Sequence, residues 1–96
     1  MEENAVGGFH AFPNPFNPSV TITFFVPAGF WGRYHIFDLR GNQVRSFDFS
    51  REDSGVRKKI VWDGRDILGR SCASGIYLGK LQAAGKQVVQ KLMLMR

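Results

Sequence analysis

Phe12-Pro13-Asn14-Pro15-Phe16-Asn17-Pro18-Ser19-Val20-Thr21-Ile22-Thr23-Phe24-Phe25-Val26 is the stretch that decides the fold. Val20, Ile22, Phe24 and Val26 alternate with Thr21 and Thr23, the period of a strand with one buried face. Pro27-Ala28-Gly29 ends the run. Ahead of it, Pro13, Pro15 and Pro18 each fix φ, remove a backbone donor and disfavour the helical conformation in the residue before. Asn14 and Asn17 predict compact turns in which a side-chain amide folds back on nearby backbone. The segment reads as a stiff lead-in to a β domain, with Phe12 and Phe16 as apolar pegs, no reactive group and no need of its own backbone donors.

The same period continues downstream. Tyr34 and Ile36 alternate with Arg33 and His35 through about Leu39, and Gly41-Asn42 offers the positive φ of a tight hairpin turn before Val44 to Phe49 return. Arg51 to Gly55 is polar and turn-like, and residues 56–62 give a strand ending in Trp62. A loop of about ten residues rich in Asp and Gly follows, then two strands over 74–83 and 87–95, separated by Ala84-Gly85-Lys86. With a short strand near Phe9 to Phe12 the total is about seven, and no helical period intervenes. Short strands at this spacing predict an immunoglobulin-like antiparallel β-sandwich over residues 9–96, with residues 1–8 a tail or linker from upstream.

Ninety-six residues make one small domain that buries somewhat more than ~60% of its unfolded surface, and nine Phe within a 44% apolar composition supply the core. The formal charge of +5 favours anionic partners, an anionic polysaccharide among them, without identifying one. Cys72 is the sole cysteine, so no internal disulfide forms. Met1-Glu2-Glu3-Asn4 lacks the basic and apolar regions of a signal peptide, and no apolar run approaches the ~18 residues of a membrane-spanning helix. An export signal would then lie on a longer parent chain. The last strand pattern stops one residue short of Arg96, which reads as a native C-terminus.

Catalytic chemistry finds no foothold. His10 and His35 have no companion at metal-ligand spacing, and His35 falls on an outward strand position. Cys72 has no neighbouring His or Cys and reads as a semi-buried loop residue. Asp63-Gly64-Arg65-Asp66 lacks the alternating oxygens and distal glutamate of a calcium loop, and reads as a turn whose Asp side chains cap backbone N–H groups. Gly64, Gly69 and Gly75 precede no helix, so they cradle no phosphate. No cofactor and no metal is expected. Strand alternation splits Arg57-Lys58-Lys59 between two faces, which argues against nucleic acid. Trp31, Tyr34 and Phe37 would bind a sugar or stack a base only if exposed in one plane. The terminal Leu92-Met93-Leu94-Met95 is apolar on both faces. That fits a strand covered on both sides, or a terminus that adds itself to a partner's sheet.

Taken in order, Pro13-Asn14-Pro15-Phe16-Asn17-Pro18 with Ser19-Val20-Thr21-Ile22, Phe37-Asp38-Leu39-Arg40-Gly41 with Val44, Trp62-Asp63-Gly64-Arg65-Asp66, Gly69-Arg70, Ala73-Ser74-Gly75-Ile76-Tyr77 and Lys91-Leu92-Met93-Leu94-Met95-Arg96 resemble a known family. It is the C-terminal sorting domain (type A) of proteins exported by the type IX secretion system, itself similar to the immunoglobulin-like domain of the flagellar hook-capping protein. Gly79 stands where members commonly carry an aromatic, and Cys72 where a small aliphatic is usual.

The resemblance implies a signal rather than an enzyme. A larger cargo on the same chain crosses the inner membrane by its own signal peptide. The folded tail is then read in the periplasm by the translocation machinery, and the product reaches the outside or the outer-membrane surface. Receptor contact is expected from Lys91, Leu92, Met93, Leu94, Met95 and Arg96. Pro13, Asn14, Pro15, Phe16, Asn17, Pro18, Trp62, Asp63, Gly64, Asp66 and Gly75 are expected to be architectural. A chain ending at Gln90 should keep most of its sandwich yet lose export. The alternative is a passive assembly or spacer module, hook-cap-like or beside a carbohydrate-active enzyme.

Overall fold

The computed structural model describes residues 7–50 and 57–96; the turn expected over 51–55 lies outside them. Among the described residues seven strands follow one another without a helix: β1 (Gly7–Phe12), β2 (Val20–Phe25), β3 (Gly32–Phe37), β4 (Gln43–Phe49), β5 (Arg57–Trp62), β6 (Gly75–Ala83) and β7 (Lys86–Leu94). They form two antiparallel sheets, β1-β2-β5 and β4-β3-β6-β7, packed as an immunoglobulin-like sandwich. β1 starts at Gly7, so the strand begins inside the segment expected to be a tail.

Alternation decides what lies between the sheets. Val20, Ile22 and Phe24 of β2, Tyr34 and Ile36 of β3, Ile60 and Trp62 of β5, Tyr77 and Leu81 of β6, and Leu92 and Leu94 of β7 form the core, joined by Phe16, Val26, Phe49 and Ala83. Aromatic rings run through it: Phe24 stacks on Tyr34 at 6.2 Å, and Trp62 meets Phe16 at 5.4 Å and Tyr77 at 5.2 Å. Each such contact adds to the area term about 0.5–1.5 kcal/mol.

Registers define the two ends of the sandwich. Gly7 pairs with Phe25, which pairs with Arg57, while Phe12 and Val20 lie toward Trp62 at the other end. In the larger sheet, Leu94 pairs with Gly75 at that same Trp62 end, and Lys86 with Ala83 at the opposite one. The proline segment, the 38–42 turn, the 63–74 loop and Arg96 therefore gather at the Trp62 end, and β1 starts from the other.

Gly79 has a packing role. A Cβ there would collide with the ring and hydroxyl of Tyr34, which lies over Gly79 from the adjacent strand β3 of the same sheet. Here the aromatic is supplied by the neighbouring strand. The phenol hydroxyl has no hydrogen-bond partner among the described residues, and burial pushes its pKa above the ordinary tyrosine range.

Candidate recognition site

The proline segment crosses from β1 of one sheet to the outer edge of β7 in the other. Proline's missing donors suit it to a single pass along an edge, since a full ladder is not required. The Asn14 side-chain N–H donates to the Lys91 carbonyl at 2.8 Å, and its oxygen accepts from the Met93 N–H at 2.9 Å. Phe16 then donates its N–H to the Met93 carbonyl, and its own carbonyl accepts from the Met95 N–H, both at 2.9 Å. The result is a short parallel bridge between Phe16 and Leu94, with the Phe16 ring buried on Trp62. The edge of β7 from Lys91 to Met95 is therefore already paired.

The last residue is tied just as closely. The Arg96 guanidinium donates from Nε to the Cys72 carbonyl and from a terminal nitrogen to the Gly64 carbonyl, each at 2.7 Å. The Arg96 N–H donates to Ser74 Oγ at 2.9 Å. Gly64 sits at φ +74° against the Arg96 guanidinium and the Pro18 carbonyl, where any Cβ would meet both.

The loop that receives Arg96 is rigid by its own bonds. The Trp62 indole N–H donates to the Arg65 carbonyl at 2.9 Å. Asp63 accepts from the Arg65 N–H, and Asp66 from the Leu68 and Arg70 N–H groups. These bonds, the Arg70 N–H first, hold the Asp66 carboxyl below its ordinary range. The Asp oxygens are thus used as caps. The Tyr77 hydroxyl donates to the Ala73 carbonyl at 2.6 Å, the stitch that closes a corner in many immunoglobulin-like sandwiches. Burial first, then the Asp66 carboxylate, push the Cys72 thiol upward, so it stays protonated near neutral pH and is a poor nucleophile. Among the described residues no three His, Cys, Asp or Glu side chains come together as a metal site.

Residues 10–95 match the family of secretion system C-terminal sorting domains. The chain belongs to that family. No curated protein matches the sorting domain in sequence. Two solved structures from Porphyromonas gingivalis share its fold at 24% identity: dimeric latent PorU, with a TM-score of 0.71, and PorZ, an essential surface component of the type IX secretion system, with 0.67. They are matched over 91% and 93% of the sorting domain but only 9% and 12% of their own chains. The Pseudomonas fluorescens alkylpurine DNA glycosylase AlkC, solved on DNA with an abasic site analogue, matches at 14% identity over 95% of this chain and 30% of its own, with a TM-score of 0.57. The family is a signal module without catalysis, and membership implies export across the outer membrane by dedicated machinery.

Of the six residues expected to meet a receptor, the sorting domain buries Leu92 and Leu94 and spends the Arg96 side chain on the loop. Lys91, Met93 and Met95 keep accessible surface, Met95 at 54% exposure. Strand addition by the terminus is corrected: Asn14 and Phe16 occupy that edge. Asn14 also departs from the local turn expected of it, because two backbone groups of β7 lie within reach, and the segment uses the Phe16 donor it was expected to leave idle. The Trp31-Tyr34-Phe37 stacking platform is overturned, since Tyr34 is fully buried. Trp31 instead lines an open cleft of about 550 Å³ at the far end, with Phe30, Arg33, Gln82 and Lys86. The outer-face neighbours of Met93 went unnoticed in the sequence. Their signal was Ile76 and Leu78, apolar residues at outward positions of β6.

Proposed function

We propose that the export machinery reads this sorting domain as a folded object, through the side chains that β7 turns outward, above all Lys91 and Met93. The observation that carries the reading is the pairing of the β7 edge by Asn14 and Phe16, together with burial of Leu92 and Leu94. The terminal backbone is satisfied within the domain, so it has little to offer a partner as an added strand. What remains is a rigid strand presenting alternate side chains.

The position of β1 supports the same reading. An upstream cargo joins the chain at the end opposite Trp62 and Leu94, which leaves the terminus unobstructed. The cargo is larger than the signal, travels through the periplasm and is released to the cell surface or beyond. Type IX machinery is the translocation partner we infer, from the family and from the fold shared with PorZ.

The test appends residues 1–96 to a reporter with its own inner-membrane signal peptide, in a host carrying the machinery. Lys91→Glu with Met93→Glu should lower the exported fraction at least tenfold while the urea midpoint of the isolated domain is unchanged. Export at the unmodified level from that folded variant would overturn the reading.

A further inference from the structure

The outer face of an antiparallel sheet in a sandwich is ordinarily polar, because only one face is covered. The face of β4-β3-β6-β7 departs from this over half its length. Register sets its rows. Arg33 of β3 lies beside Asp48 on one side and Gln82 on the other, and Gln82 faces Gln87 of β7. Next come Ser46, His35, Lys80 and Val89, then Phe37, Leu78 and Lys91, and finally Ile76 and Met93. The first row is polar throughout. The last two rows, toward the Trp62 end, bring together Phe37, Leu78, Ile76 and Met93, and Val89 adjoins them from the row before.

These five side chains are outside the core. Phe37, Ile76, Leu78 and Met93 are half-buried, yet none packs against the core cluster, and Val89 is 52% exposed. Directly opposed residues on neighbouring strands hold their Cβ atoms ~4.5–5.5 Å apart, so the group is one surface. Its charges have one sign. Lys80 lies over the Phe37 ring at 5.3 Å and Lys91 flanks Leu78, while Asp48, the acid on this face, is bound to Arg33 at 2.8 Å. A second copy of the chain would set Lys80 and Lys91 against their own kind, which disfavours self-association through this face.

We propose that Phe37, Ile76, Leu78, Val89 and Met93, bordered by Lys80 and Lys91, form the docking surface for a protein of the export machinery that presents an apolar patch with acidic residues at its rim. This rests on the reading of β7 above and extends it to β3 and β6, strands outside the terminal segment.

In the same export assay, Leu78→Glu and Ile76→Glu should each lower the exported fraction about tenfold, and Lys80→Glu at least threefold. Gln82→Glu, on the polar half of the same face, should export normally. Thermal unfolding of each isolated domain accompanies the assay, and Lys80→Glu serves as the arm least able to disturb packing. If Lys91→Glu with Met93→Glu blocks export while Leu78→Glu and Ile76→Glu do not, the wider surface is wrong and the reading of β7 stands. If none of them blocks export, both fall. Normal export of Lys80→Glu beside blocked Leu78→Glu would remove the acidic rim. Equal loss in Gln82→Glu would refute the placement. Sedimentation of the unmodified domain as a dimer that Leu78→Glu dissociates would assign the face to a second copy.

Discussion

Replacing Asn14 by alanine isolates the contact that joins the first part of the chain to the last. Its amide makes two bonds to β7 backbone, at 2.8 Å to the Lys91 carbonyl and 2.9 Å from the Met93 N–H. A net contribution of about 0.5–1.5 kcal/mol for each gives a loss near 2 kcal/mol for the pair. In a domain of this size that lowers Tm by roughly 8–16 °C. Asn17 is the internal control: it is an exposed asparagine in the same proline frame, and its side chain makes no hydrogen bond among the described residues. Asn17→Ala should therefore stay within ~0.5 kcal/mol of the unmodified chain. Urea titration measures both, and native-state hydrogen exchange at the Met93 amide reports the bond itself. Were the two asparagines structurally equivalent turn residues, both substitutions would cost the same. Equal midpoints, or unchanged exchange at Met93, would refute the clamp.

Three further outcomes follow from single groups. Tyr34→Phe removes a buried hydroxyl without a partner among the described residues and should stabilise the domain by ~1 kcal/mol, read as a rise in Tm; a fall would mean that the hydroxyl is bonded. Arg96→Ala removes two guanidinium bonds to the 63–74 loop and should cost ~2 kcal/mol. Arg96→Lys should recover less than half of that, because an ammonium cannot reproduce the fork, and full recovery by Lys would contradict the geometry. The Asp66 carboxyl is held below its ordinary 3.8, so its stabilisation is present above that value and lost as pH falls through the lower folded-state value. Asp66→Asn should flatten the loss of stability as pH falls below about 4, and an acid limb as steep as the unmodified domain's would reject that role.

Strand content was legible because β2, β3 and β6 bury alternate residues, and a period of two survives any tertiary context that covers one face. The capping aspartates were legible for a similar reason: Asp63 and Asp66 act on groups two to four residues away. What could not be read were contacts that span the chain. The amide of Asn14 has the same local propensity as that of Asn17, and only the passage of β7 alongside separates them. Arg96 reads from sequence as a receptor contact, and only the fold brings the Gly64 and Cys72 carbonyls beside its guanidinium. The exchange of bulk between Tyr34 and Gly79 was equally hidden, since strand order, not sequence, makes β3 and β6 neighbours. The outer apolar face needed the same information.

Truncation after Gln90 sharpens the distinction between a signal that is appended and one that is built in. A terminal peptide that merely displays receptor contacts could be removed with the sandwich intact. The deletion takes more than that: it removes Leu92, at 0% exposure, and Leu94, at 1%, from the core beside Trp62. At ~2–5 kcal/mol for each buried leucine, the packing loss alone is ~4–10 kcal/mol. Asn14, Phe16 and Gly64 lose their partners as well. Against a total stability of roughly 5–14 kcal/mol for a domain of this length, that is most or all of the fold. The expected result is a chain ending at Gln90 that is unfolded or molten by near-ultraviolet circular dichroism and rapidly cleaved by protease. A cooperatively folded truncated domain would show that the terminus is separable after all. If it unfolds as expected, loss of export on truncation says nothing of recognition, and only outward substitutions such as those at Lys91 and Met93 can probe it.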